Sequence, residues 1–140
     1  MAKRNVSLYD QFEPLNYQLF ITGNKCRLLI SGKKLPPPSK RITLHQKGLK
    51  ITDAKIIRND KKGSSEHDVL RINHLPTFEQ VRLHTAGMLY PGPYIIELNY
   101  QLRSEKLQAL KALGDELPSR DLMPSIDESK AWDIASFEIK

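Results

Sequence analysis

Cysteine is almost missing from this chain. Cys26 is the only one in 140 residues, so no intramolecular disulfide can staple the fold, and a reducing compartment is the simpler expectation. Long apolar runs are missing too. None approaches the ~20 residues that a membrane-spanning helix needs. The opening Met1-Ala2-Lys3-Arg4-Asn5-Val6-Ser7 is basic but lacks the apolar stretch of a secretion signal. The expectation is a soluble, cytoplasmic protein with no membrane partner. Aromatic residues make up only 7%, and the seven glycines are outnumbered by nine prolines, a balance that suits punctuated strands better than long helices. The length supports one domain with a real core and not two of ordinary size. Residues 1–140 are therefore read as a single domain, with a β core over 1–100 and a shortened helical tract and closing strand over 101–140.

The residues of hydrolytic and metal chemistry are present but not at working spacings. The four histidines are His45, His67, His74 and His84. None has a second histidine at i+4 or i+2, so neither one helix face nor one strand face offers two imidazoles to zinc. Glu66-His67-Asp68 reads as a polar loop whose neighbouring side chains point apart. His45 falls on an alternating segment, which fits a hydrogen-bonded structural role. Cys26 lies in an apolar run and reads as an inert core thiol. No glycine-rich phosphate loop occurs, and Ser125, Ser129 and Ser136 lack a nucleophile-elbow context. No active site emerges from these residues, and no cofactor is expected in this chain.

Charge is unevenly spread. The net charge is +6, yet residues 25–62 alone hold twelve basic side chains against Asp53 and Asp60, a surplus of ten. Such a block can attract phosphate by counterion release; a solvated sheet face is the preferred reading, because the lysines and arginines fall mostly at positions that would alternate outward. The same segment contains no Phe, Tyr or Trp, whereas single-strand binders interleave aromatic platforms with their basic groove.

Hydrophobic periodicity is mostly two. Leu15, Tyr17, Leu19 and Ile21 alternate with polar residues, Thr22-Gly23-Asn24-Lys25 is a turn signal, and Cys26 to Ser31 resumes an extended run, together a hairpin. Gly32 to Ser39, with Pro36-Pro37-Pro38, is expected to stop regular structure as a stiff connector. Further strands are predicted over Arg41–His45, around Leu49 to Ile57, over Val69–Asn73 and over Gln80–His84, with a polar hairpin tip at 59–65. After the turn Tyr90-Pro91-Gly92-Pro93, the residues Tyr94, Ile96, Leu98 and Tyr100 alternate most cleanly. Ser104 to Leu113 is the one helical pattern, with Gly114 as its cap, and Trp132 to Ile139 suits a last strand. The fold class is all-β, mainly antiparallel: a saddle-like β-sandwich of about seven short strands with one short helix near the C-terminus.

Several segments, in order, resemble one family. Pro14-Leu15-Asn16-Tyr17-Gln18-Leu19 resembles the opening strand of M1 (aminopeptidase N-like) zinc metallopeptidases. Ile30-Ser31-Gly32-Lys33 is similar to the F-x-G stretch of their second strand, with Ile30 where phenylalanine is usual. Ile42-Thr43-Leu44-His45, then Leu49-Lys50-Ile51, is similar to their I-x-L-H-x-x-x-L-x-I signature. The run from Leu89 to Tyr100 resembles their L-x-x-G-x-Y-x-L-x-I-x-Y hairpin, and Arg120 to Glu128 their A-R-x-x-F-P-C-x-D-E-P stretch, with Ser125 in place of its cysteine and Ser129 in place of its last proline. The resemblance implies a non-catalytic N-terminal β-domain that packs against a separate, zinc-bearing catalytic domain and helps enclose its cleft. It further implies an acidic residue upstream of Arg120 that holds the substrate's free α-amine, for which Glu116 is the nearest candidate. The chain carries no HExxH motif and no G-A-M-E-N loop, so it is not expected to be an enzyme by itself. Three functions follow as alternatives: a structural and substrate-cleft domain, truncated or free-standing; a protein–protein interaction module that docks a catalytic peptidase subunit or self-associates; and a basic nucleic-acid-binding module.

Overall fold

Alternation of apolar and polar residues dictates strands with one buried face, and nine strands form in the computed structural model, which describes residues 11–46, 48–60, 63–112, Pro124 and 136–139. They are β1 (Phe12–Thr22), β2 (Lys25–Lys34), β3 (Ser39–His45), β4 (Ile51–Asp60), β5 (Gly63–His67), β6 (Val69–Leu75), β7 (Gln80–Leu89), β8 (Gly92–Gln101) and β9 (Ser136–Ile139). A 3-10 turn at Pro76–Phe78 joins β6 to β7, and the one α-helix, α1 (Ser104–Lys111), follows β8. The strands make a six-stranded sheet, β5-β4-β8-β2-β1-β9, and a three-stranded sheet, β3-β7-β6. All pairings are antiparallel except β1 with β9. The fold is all-β and sandwich-like, with more and longer strands than the sequence pattern predicts.

The inner faces of the two sheets supply the core. Rows such as Ile56–Ile96–Ile30–Tyr17 run across the large sheet, and Ile42–Leu83 lies on the small one; all six are fully buried. Two expectations fail for steric reasons. Leu15 does not join the inward face, because a bulge between Pro14 and Asn16 inserts it as an extra residue and leaves it 47% exposed. Gly32 does not end β2 but pairs with Pro14 and lets the strand run on to Lys34. The Lys34 ammonium is then carried inside, where it donates to the carbonyl oxygens of Leu35 (2.8 Å) and Pro37 (2.9 Å). It thereby ties down the triproline connector, and burial lowers its pKa. Helix α1 ends at Lys111 with Ala112 as its cap, shorter than the Ser104–Leu113 pattern; Leu113 and Gly114 lie outside the described residues.

One hydrogen bond crosses between the sheets at a titratable group. The Ile51 backbone N–H on β4 donates to His74 Nε2 on β6 over 3.1 Å, so the imidazole must be unprotonated at that nitrogen. Burial first, and then the Lys50 charge, lower the pKa of His74 below its ordinary 6.5. The unfolded chain therefore takes up this proton first as pH falls. The stabilisation is complete above about pH 6.5 and is lost as pH drops through the folded value. Urea midpoints should fall between pH 7.5 and 5, and should fall less in His74→Gln, whose amide oxygen accepts the same bond without titrating. Equal acid losses in both proteins would remove His74 from the account.

Candidate functional site

The residues singled out from sequence are dispersed by the fold. Cys26 is buried opposite Tyr100 on β8. Burial raises its thiol pKa and the Tyr100 hydroxyl partly offsets this, so the thiol stays protonated and unreactive at neutral pH. Glu66 and His67 belong to β5 and not to a loop. His67 meets the Tyr94 ring edge-on at 5.8 Å, while Glu66 is paired in register with Ile57 on the opposite face. His45 is buried at the end of β3. Glu116 lies outside the described residues. Among the described residues no three His, Cys, Asp or Glu side chains converge as metal ligands, and no helix is long and apolar enough to cross a membrane.

The described members of the basic run of 25–62 do not form one surface. Lys25, Arg27, Lys33 and Lys55 lie exposed on the outer face of the large sheet, where Arg27 pairs with Glu97 at 3.2 Å and stacks over Phe20 at 5.5 Å. Lys34 turns inward. Arg58 clamps the β7–β8 turn, donating to the Tyr94 hydroxyl (2.9 Å) and the Tyr90 carbonyl (3.2 Å), with Tyr94 itself donating to that carbonyl at 2.9 Å. Gly92 makes room for the clamp: its φ is +148°, and a Cβ there would lie 2.6 Å from the guanidinium.

Two cationic arrangements remain. At one end of the sandwich a cleft of about 420 Å³ is lined by Lys50, Arg103 and Lys106, with Glu105, Gln101 and the 48–49 backbone completing it. The other is on the outer face of the small sheet. Arg41 on β3 and Arg71 on β6 are both register partners of His84 on β7, so the three side chains stand in one row on one side. Arg82, two residues before His84, projects from the same face and donates from Nε to Thr43 Oγ1 at 3.3 Å. Burial first, and then Arg71, Arg82 and Arg41, lower the pKa of His84. Sequence reasoning missed this cluster because only Arg41 belongs to the basic run; the signal available was alternation, which puts residues 82 and 84 opposite the apolar Val81 and Leu83.

Compared with known family models and with curated proteins, the chain finds no match. Fold and surface together define an all-β sandwich with a cationic outer face on its smaller sheet.

Proposed function

We propose that the chain is a non-catalytic β-sandwich module that supports a partner: the N-terminal structural and substrate-cleft domain of an aminopeptidase N-like zinc peptidase, with the metal held by the partner's catalytic domain. The observation that carries this reading is the outer face of the six-stranded sheet. Leu29, Ile57, Ile95 and Phe20 stand there only half-buried, on a face over which no described element packs as a second layer. Leu15 extends the apolar surface at its β1 end. Isolated exposed apolar residues are ordinary, but here Ile57 and Ile95 are register neighbours with Leu29 diagonal to Ile95, set among Lys55, Glu97 and Arg27, and an apolar patch inside a charged surround suits a protein interface. The ordered motif resemblance supports the kind of partner. A docking module that self-associates is the second reading, favoured by the same face.

The test supplies an aminopeptidase N-like catalytic domain, stripped of its own N-terminal domain, in trans. Binding by calorimetry is expected, with Ile95→Lys and Leu29→Lys abolishing it while leaving the melting temperature within a few degrees. Light scattering separates the second reading, because self-association would show without the added domain. Zinc-dependent hydrolysis of aminoacyl substrates by the pure chain would overturn both readings. So would a monomer that ignores the catalytic domain.

A further inference from the structure

We propose that the outer face of the three-stranded sheet binds a phosphate monoester dianion, held by Arg41, Arg71 and Arg82 around His84. Neighbouring strands are spaced at about 4.8 Å, so Arg41 and Arg71, on the strands either side of β7, flank His84 within reach of one tetrahedral group. Among the described residues no carboxylate pairs with these three arginines; the Arg27–Glu97 ion pair is on the other sheet. The three guanidiniums all lie near enough to His84 for their charges to lower its pKa, so the cluster carries an electrostatic cost that a bound anion removes. His84 adds a second sign of incompleteness: its Nε2 is buried and has no hydrogen-bond partner among the described residues. Pairing irregularities lie beside this row, between Ser39 and Arg41 and between Val69 and Arg71, and bulges at such places re-aim side chains.

The chemistry selects the ligand. A carboxylate offers two oxygens and one charge, enough for one guanidinium fork. A phosphodiester also carries a single charge, and β3, β6 and β7 contain no Phe, Tyr or Trp on which bases could stack. A monoester dianion has three terminal oxygens and two charges, which three guanidiniums and an imidazole can share. Arg41 and Arg71 are exposed and Arg82 and His84 half-buried, so the site is open to a phosphate carried on a larger molecule as well as to a free one.

Inorganic phosphate and O-phosphoserine are titrated into isotope-labelled protein at constant ionic strength, with chloride as reference, and the His84 imidazole is followed by NMR. Saturable binding is expected, with the His84 pKa moving upward as the anion offsets the three guanidinium charges. Arg71→Gln should weaken binding about tenfold without lowering the melting temperature, since it removes a repulsion. Arg41→Gln is the second variant and should do the same, while Lys55→Gln on the other sheet should change nothing. Phosphoserine binding with no response to inorganic phosphate would place the ligand on a larger carrier and keep the site. A response no larger than chloride gives, or equal weakening by Lys55→Gln, would overturn the proposal. Short duplex DNA bound far more tightly than phosphoserine, with a steep salt dependence, would assign the face to a phosphodiester backbone and overturn it as well.

Discussion

Gly32→Ala is expected to destabilise the protein by about 3 kcal/mol, at the upper end of what overpacking costs, and to lower Tm by roughly 10 °C. The side chain is minimal but the space is already taken. A Cβ at position 32 would overlap the Glu13 carbonyl oxygen and come within 2.5 Å of the Phe12 ring. The ring is fully buried and the carbonyl is backbone, so neither can rotate out of the way at little cost. Relief requires the first residues of β1 to lift from β2. That would also break the link made by Gln11, whose side-chain amide donates to the Thr43 carbonyl at 2.6 Å and accepts the Thr43 N–H at 3.2 Å, tying β1 to the edge of the small sheet. Denaturant unfolding measures the total. A cycle with Phe12→Ala divides it: Gly32→Ala should cost less in that background, yet still more than nothing because the Glu13 oxygen remains. Equal costs in the two backgrounds would show that the ring is not the obstacle.

Gly32 also marks where the sequence could be read and where it could not. The alternation of Tyr94, Ile96, Leu98 and Tyr100 translates directly into the buried face of β8, because an unbroken strand keeps its phase. In β1 the same reasoning selects Leu15 and misses Phe12. A bulge changes phase without any change in composition, and the buried set is Phe12 and Pro14 before it and Tyr17 and Leu19 after it. A glycine followed by two lysines, a leucine and three prolines reads as a terminator, yet here glycine is what allows two strands to approach. The charge block is divided for a related reason. Strands send successive side chains to opposite faces, and two sheets divide those faces again, so the described cations of the run, neighbours in sequence, become several unrelated surfaces. The arginine row around His84 is the reverse case, assembled from three strands whose register no local pattern contains.

That same row logic sets the second large effect. Ile96→Ala should cost about 4 kcal/mol, within the range for deleting a buried isoleucine to alanine, whereas Ile95→Ala next to it should cost about 1 kcal/mol or less. Ile96 is fully buried and sits between Ile56 of β4 and Ile30 of β2, in the interior of the six-stranded sheet. Hydrogen-bonded strands on both sides hold the backbone apart, so the walls of the new cavity cannot collapse and the lost contacts are not regained. Ile95 points to the other face, half-exposed beside Ile57 and Ser31, where water fills the space it leaves. Urea midpoints at unchanged m-value would read both costs. A ratio near one would mean that β8 does not present alternate residues to a core and to a surface, and the apolar outer face on which partner docking depends would disappear with it. A ratio near four keeps that face in place as surface that folding leaves uncovered.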